Sequence, residues 1–367
     1  MDIEILPIEK ENMKSKDILK DPDSLGFGNY FTDRMFVVKW TEDKGWHDAK
    51  IKKYEDFVFD PATLVFHYGQ EIFEGLKAFR SKNGDILLFR PWENVKRMNR
   101  SAERMSMPTM KEEDMLEAIV ELVKLEKDWV PDKRGASLYI RPTMIATEKG
   151  LGVRPSKEYI FFVILSPSGP YFKEGFKPIT LLATDKYVRA VPGGVGEAKT
   201  GGNYAASLKA KKLAKNYGCA EVLWLDAYNK KFIEEVGAMN IAFVINDVIT
   251  TPRLDGSILH GITRKSVLEM GKKLGFKVSE REISIHEIME GAQNGSVTEC
   301  FGLGTAASIA PVGEIKYLHY EETGENITSV KFGDKPGKIA ERLYKELQDI
   351  QYGEKEPPFE GWILKIE

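Results

Sequence analysis

The sequence predicts a mixed α/β (α+β) protein built as two domains. Three observations lead there. A chain of 367 residues exceeds what one hydrophobic core usually supports. Strand-like apolar runs alternate with helical patterns along its length. A Ser-, Pro- and Gly-rich stretch, SPSGPYFKEGFKP at 166–178, interrupts them near the middle. We place a smaller first domain at 1–170, a linker at 171–182 and a larger second domain at 183–367.

In the first domain, strands are expected at Met35–Trp40, Asp85–Phe89, Ser137–Arg141 and Tyr159–Leu165. A helix starts at Pro91, where the missing N–H costs nothing, and runs to about Met105. A second covers Glu112–Trp129, with Met115, Ile119, Leu122 and Leu125 at helical spacing, and stops before Pro131. In the second domain a Gly-rich loop, PGGVGEAKTGGN, leads into a helix whose Ala210, Leu213, Ala214 and Tyr217 share a face and which Gly218 stops. Strands follow at Glu221–Asp226, Phe232–Glu234 and Met239–Asn246. Helices follow at Ile262–Leu274, at Ser284 with Glu287 in a capping-box pattern, and at Lys338–Ile350.

Composition narrows the function classes. The net charge of -3, with both signs abundant, gives no reason to expect nucleic acid or a membrane surface as partner. Cys219 and Cys300, the only cysteines, build neither a disulfide framework nor a four-cysteine zinc site. The first residues, MDIEILPIEK, have neither a signal peptide's apolar core nor a transit peptide's Arg-rich character. The apolar run Tyr159–Leu165 is too short to cross a bilayer. We therefore expect a cytoplasmic protein. The five histidines show no metal-ligand spacing, so no metal is expected, and no GxSxG elbow is present.

Four places remain where chemistry is plausible on residue type alone. Lys199 sits between two Gly-rich stretches just before a helix, where the backbone can approach an anion; an exposed lysine is the ordinary alternative. Glu235, in IEEVGAMN, stands between two strands, and is otherwise a turn carboxylate. In LHGITRKSV, Gly261, Ile262 and Thr263 open a helix whose first N–H groups suit a phosphate. In FGLGTAAS, two glycines bring the backbone close beside Thr305. A rival reading takes GGVGEAKT at 193–200 as a nucleotide-binding loop. Ala198 replaces its second glycine, however, and the preceding DKYVRAVPGG is no buried strand.

Taken together, EAKTGGNYAAS around Lys199, VLWLD, EVGAMN, LHGITR and FGLGTAA resemble the branched-chain amino acid aminotransferases. The likeness continues through GFGNYFTDRM, HYGQEIFEGLKAFR, LFRPWENVKRMNRSAERM, SLYIRPTMIATEKGLGV and DIQYG, covering nearly the whole chain in order. It implies the D-amino acid aminotransferase-like fold (PLP fold type IV), with pyridoxal 5'-phosphate in the cleft between two domains and a homodimer as working unit. By this resemblance Lys199 is the catalytic residue and forms the Schiff base. Tyr204 meets the ring oxygen, Glu235 binds the pyridine nitrogen, and Arg97, Ile262, Thr263 and Thr305 hold the phosphate. Phe27, Tyr68, Phe73, Tyr139, Tyr171 and Ala238 surround the substrate, with Thr305 and Ala306, while Leu151 and Val153 reach in from the partner subunit. Arg141 receives the side-chain carboxylate of 2-oxoglutarate. The implied reaction moves the amino group of L-leucine, L-isoleucine or L-valine to 2-oxoglutarate. Two departures stand out: Ala307 and Ala310 replace the Cys-x-x-Cys pair of mammalian relatives, and Ala238 replaces a common threonine.

Overall fold

The computed structural model describes residues 1–171, 175–321 and 324–367. The chain forms two compact units. The first is Met1–Lys173 with Ala198–Gly201 and Gln348–Glu367, and the second is Glu174–Glu197 with Gly202–Leu347.

The first unit holds strands β1 (Glu4–Ile5), β2 (Arg34–Thr41), β3 (Gly45–Lys53), β4 (Glu71–Phe73), β5 (Leu76–Arg80), β6 (Ile86–Phe89), β7 (Ser137–Ala146) and β8 (Glu158–Ser168). Its helices are α1 (Leu64–Tyr68), α2 (Pro91–Arg104) and α3 (Glu112–Leu125). The sheet runs β1-β3-β2-β8-β7-β5-β6 and ends on the C-terminal strand Ile363–Ile366, with β4 beside β7. Apolar side chains of this sheet, among them Phe36, Ile72, Leu88, Ile140 and Phe161, form one core with Met98 of α2 and Ile119 and Leu122 of α3.

β7 is longer than expected and passes through Pro142. The sequence reading ends the strand at Arg141, just before a proline, a residue that removes a ladder donor. The Pro142 carbonyl accepts from Glu74 N, so the missing N–H also points to that side of the strand. There β7 changes partner, pairing with β5 through Ile140 and with β4 from Thr143. The ladder to β8 is continuous. In α3, the helix ends at Leu125 and a separate 3-10 turn covers Lys127–Trp129. Glu126 between them is buried, accepting from Asp33 N at 2.9 Å and pairing with Arg34 at 2.7 Å.

The second unit holds β9 (Ile179–Thr184), α4 (Gly201–Asn216) from Gly202 on, β10 (Glu221–Leu225), β11 (Ile233–Val236), β12 (Asn240–Ile245), β13 (Val248–Pro252), α5 (Ile262–Lys273) and β14 (Lys277–Arg281). It continues with α6 (Ile285–Asn294), β15 (Val297–Gly304), β16 (Ser308–Glu321), β17 (Gly324–Lys331) and α7 (Lys338–Gln351) as far as Leu347. The sheet order is β11-β10-β9-β16-β15-β12-β13-β14, with β17 on β16. The β12–β13 hairpin turns on Asn246 and Asp247, both at positive φ (47° and 61°), the conformation a tight two-residue hairpin demands. At α6, Ser284 Oγ accepts from Glu287 N at 3.0 Å, but the Glu287 carboxylate pairs with Arg281 instead of closing the capping box.

Two features correct the expected domain limits. The stretch 183–367 is not one body: Ala198–Gly201, which contains Lys199, and Gln348–Glu367 belong to the first unit. The reason for the latter is strand pairing, since Ile363–Ile366 runs antiparallel to β6. The expected linker at 171–182 also overlaps β9, and its residues 172–174 lie outside the described residues.

Candidate active site

Lys199 is fixed by its backbone. Its N–H donates to Ser101 Oγ of α2 at 3.0 Å, and its carbonyl accepts from Phe73 N of β4 at 3.0 Å. Immediately after it, Thr200 Oγ1 donates to the Glu71 carbonyl at 2.7 Å and Gly201 N to Glu71 Oε1. Gly201 has to be glycine, because a Cβ there would lie 2.1 Å from that carboxylate oxygen. The Lys199 ammonium sits 5.0 Å above the Phe73 ring. Burial pushes the Glu71 carboxyl up, an effect that Gly201 N–H and the Arg141 charge partly offset.

Beneath this segment, Arg97 of α2 grips Glu74 through Nε at 2.7 Å and Nη2 at 2.9 Å, with both side chains buried. Asn94 Nδ2 adds a bond to Glu74 at 2.8 Å. Burial alone would raise the Glu74 carboxyl. The Arg97 charge and hydrogen bonds, with further pull from Lys199 and Asn94, hold it below the usual range instead. The two bonds to Glu74 use two of the five donors of the Arg97 guanidinium.

The same unit presents an aromatic wall. Phe73, Tyr139 and Arg141 share one face, because Phe73 pairs with Thr143 and alternate residues of β7 point the same way. The Arg141 guanidinium lies 4.7 Å from the Phe73 ring and 5.3 Å from the Tyr139 ring. Its Nη2 reaches Tyr139 Oη at 3.4 Å, and its buried Nε has no hydrogen-bond partner among the described residues. Phe27 meets Tyr139 edge-on with ring centres 4.8 Å apart. Gly75 leaves room for this ring, since a Cβ there would lie 1.9 Å from the Tyr139 hydroxyl oxygen. Tyr68 donates its hydroxyl to the Leu151 carbonyl. Leu151 and Val153 are 66% and 84% exposed, far more than isolated core-type side chains need be, and Tyr171 is exposed too.

In the second unit, Glu235 of β11 is buried, accepts Leu259 N–H at 2.7 Å through Oε1, and faces Arg189 Nε at 3.3 Å through Oε2. Asn240 Nδ2 donates to the Leu259 carbonyl at 2.9 Å, so the segment before α5 is held at both ends of one residue. A Cβ on Gly261, the N-cap of α5, would lie 1.8 Å from Asn240 Oδ1; only glycine lets Ile262 and Thr263 begin the helix here. Ala238 is exposed at the tight β11–β12 turn, Thr305 and Ala306 lie in the turn between β15 and β16, and Tyr204 is half-buried on α4.

The structure therefore groups Lys199, Arg97, Phe73, Tyr139, Arg141 and Phe27 in the first unit, and Glu235, Ile262 and Thr263 in the second. Sequence reasoning passed over Glu71, Glu74, Ser101, Arg189 and Asn240. A signal existed for α2: Asn94, Arg97 and Ser101 form a polar stripe at helical spacing, and all three are buried. The nucleotide-loop rival has no strand directly before it, as β9 ends at Thr184, and Gly196 packs so closely on the Ser257 carbonyl that a Cβ would lie 2.2 Å away. Among the described residues no cluster of His, Cys, Asp and Glu suits a metal ion, and no helix is long and apolar enough to cross a membrane.

Residues 71–315 match the family described as amino-transferase class IV. Branched-chain-amino-acid transaminase 1 of Bacillus subtilis (strain 168) is 50% identical over 361 residues, 98% of this chain and 99% of that protein. Of solved structures, a T.th. branched-chain amino acid aminotransferase with pyridoxamine 5'-phosphate is similar at TM-score 0.71 and 27% identity, covering 90% of this chain and 98% of that one. The T.th. enzyme complexed with N-(5'-phosphopyridoxyl)-L-glutamate gives TM-score 0.69 at 27% identity, again covering 90% and 98%.

Proposed function

Since the chain belongs to the class IV aminotransferases and is a pyridoxal-phosphate-dependent branched-chain-amino-acid transaminase, we propose that it moves the amino group of L-leucine, L-isoleucine or L-valine reversibly to 2-oxoglutarate, with Lys199 as anchor and proton carrier. The observation that carries this reading is the fixed backbone of Lys199, held from α2 and β4 with its amine above the Phe73 ring.

The donor set suits the cofactor: a primary amine at Lys199, a carboxylate at Glu235, the Tyr204 hydroxyl, and for a phosphate Arg97, Thr263, Thr305 and the first N–H groups of α5 at Ile262. When bound, pyridoxal phosphate supplies a carbonyl carbon that takes the amino group and a ring that withdraws electrons. Glu235 holds a proton at the ring nitrogen, with Arg189 and Leu259 N–H fixing the carboxylate's direction. Lys199 Nζ, as a neutral amine, would take the proton from the substrate Cα, hold it as an ammonium and return it to carbon in the second proton transfer.

Phe27, Tyr68, Phe73, Tyr139, Tyr171 and Ala238 enclose the branched side chain, next to Thr305 and Ala306, and the partner's Leu151 and the partner's Val153 complete the pocket in a homodimer working in the cytoplasm. The strong exposure of Leu151 and Val153 supports their burial by a second copy. Burying one branched side chain stabilises the complex by about 1.5–3 kcal/mol. Arg141 takes the distal carboxylate of 2-oxoglutarate. Its buried Nε has no acceptor among the described residues, and the T.th. relative is complexed with a phosphopyridoxyl-L-glutamate.

A visible absorption band of the purified holoenzyme should vanish with L-leucine and return with 2-oxoglutarate. Bleaching by D-alanine but not by L-leucine would defeat the assignment. Arg141→Gln should slow the half-reaction with L-glutamate about 10–100-fold, the worth of a charge-assisted bond, and leave that with L-leucine within about threefold. Equal slowing of both would remove Arg141 from acceptor recognition.

A further inference from the structure

Glu234, the residue before Glu235 on β11, has no part in the reaction above. It is 3% exposed. Its Oε1 lies 2.7 Å from Ser257 Oγ, and the same Oγ lies 2.7 Å from Asp255 Oδ1. A hydroxyl has one hydrogen to give, so it serves only one of these carboxyls. The other short oxygen–oxygen contact needs a hydrogen of its own, which a protonated carboxyl supplies. Asp255 is exposed, and its Oδ1 also accepts Ser257 N–H at 3.0 Å, so Asp255 is the natural anion. Glu234 is enclosed, and its buried Oε2 has no hydrogen-bond partner among the described residues. An ionised carboxylate in that position would lack a donor it needs, whereas a neutral acid tolerates the loss far better.

The proton therefore belongs to Glu234, which donates to Ser257 Oγ while Ser257 donates to Asp255. Burial pushes the Glu234 carboxyl up to about 7; the Ser257 hydroxyl and the Arg189 charge work against this, and the charges of Asp255 and Glu235 work with it. Ser257 has a second task. Its carbonyl accepts from Arg189 Nη2, and Arg189 Nε faces Glu235 Oε2 at 3.3 Å.

We infer that Glu234 is a positioning residue: protonated, it fixes Ser257, whose carbonyl aims Arg189 at Glu235, and by staying neutral it leaves the Arg189 charge to Glu235 alone. Loss of the proton sets a second carboxylate charge near Arg189 and takes away the hydrogen that Ser257 Oγ accepts. The inference rests on the reading of Glu235 as partner of the ring nitrogen, and it predicts that the cofactor is held less tightly as Glu234 ionises.

Glu234→Gln keeps a donor for Ser257 and cannot ionise, so it separates the proton from the shape of the side chain. Pyridoxal phosphate affinity of the wild type should weaken about 3- to 10-fold from about pH 6 to about pH 8.5 more than that of the variant. The proton itself is read without cofactor. Infrared difference spectra of the cofactor-free protein should show a carboxylic-acid band lost over that interval and missing from Glu234→Gln. Melting gives a second cofactor-free signal. With a folded-state pKa raised from 4.5 to about 7, Glu234 contributes stability that is fully present below 4.5 and lost as pH rises through about 7. The variant should lack that slope. No carboxylic-acid band, or the same pH dependence of cofactor affinity in both proteins, overturns the inference. Because the band and the melting slope need no cofactor, a failed proton on Glu234 is distinguishable from a failed cofactor assignment.

Discussion

Lys199→Ala should lower multiple turnover by more than about 10⁴-fold while the protein folds normally, because one side chain is asked both to anchor the cofactor and to move the Cα proton. The local structure predicts the intact fold. Ser101, Phe73 and Glu71 bind the backbone of 199–201, so removing the amine breaks none of those bonds. The loss includes the contact of the ammonium with the Phe73 ring at 5.0 Å, worth about 0.5–1 kcal/mol at a partly exposed site, and the pull of its charge on the Glu74 carboxyl. Steady-state rates with L-leucine and 2-oxoglutarate, set beside a melting curve, check both halves. Retained multiple turnover would end the role assigned to Lys199.

Glu74→Ala should destabilise the cofactor-free protein by about 3–5 kcal/mol, the usual cost of stranding one partner of a buried ion pair. Arg97 then keeps its charge in a buried place with the carboxylate gone, and Asn94 loses an acceptor. Glu74→Ala combined with Arg97→Met should recover much of this stability and none of the cofactor affinity. Urea unfolding of the wild type and the two variants measures it, and a loss under about 1 kcal/mol for Glu74→Ala would show that the pair is not buried in solution. The pH dependence has a definite sign. The folded-state Glu74 carboxyl is depressed, so its stabilisation is present above the ordinary carboxylate pKa of 4.5 and is lost as pH falls through the lower folded-state value. Glu74→Gln should therefore flatten the acid limb of the stability curve.

Much of the fold was legible where one physical signal dominated. Pro91 marked the start of α2, Ser284 and Glu287 marked the start of α6, and the apolar spacing of 112–125 marked α3. Strands whose environment overrides local pattern were not legible. In β3, GWHDAKIKK shows little apolar alternation because much of it is partly exposed, and pairing with β1 and β2 makes it a strand. β7 passes through Pro142 because two partner strands meet there. The affiliation of Ala198–Gly201 with the first unit depends on hydrogen bonds to residues about 100 and 130 positions earlier, which no local pattern encodes.

The candidate site divides along the same line. Lys199 was singled out from its Gly-rich loop and Glu235 from its place between expected strands, though Glu235 lies within β11; the groups that hold them were not legible. Glu74 and Ser101 become intelligible only once α2 lies against β4, and Arg189 only once Glu235 and the Ser257 carbonyl are its neighbours. Asn240 stood inside a quoted motif, yet its task, steering Leu259 and requiring Gly261, belongs to tertiary packing.

Borohydride reduction of the holoenzyme followed by peptide mapping tests the central claim most directly, since it converts the cofactor's link to the protein into a stable bond. The account predicts one phosphopyridoxyl label, on Lys199, in a peptide running through the TGGNYAAS sequence after it. A label on a different lysine, or none on a protein that holds the cofactor, would contradict it.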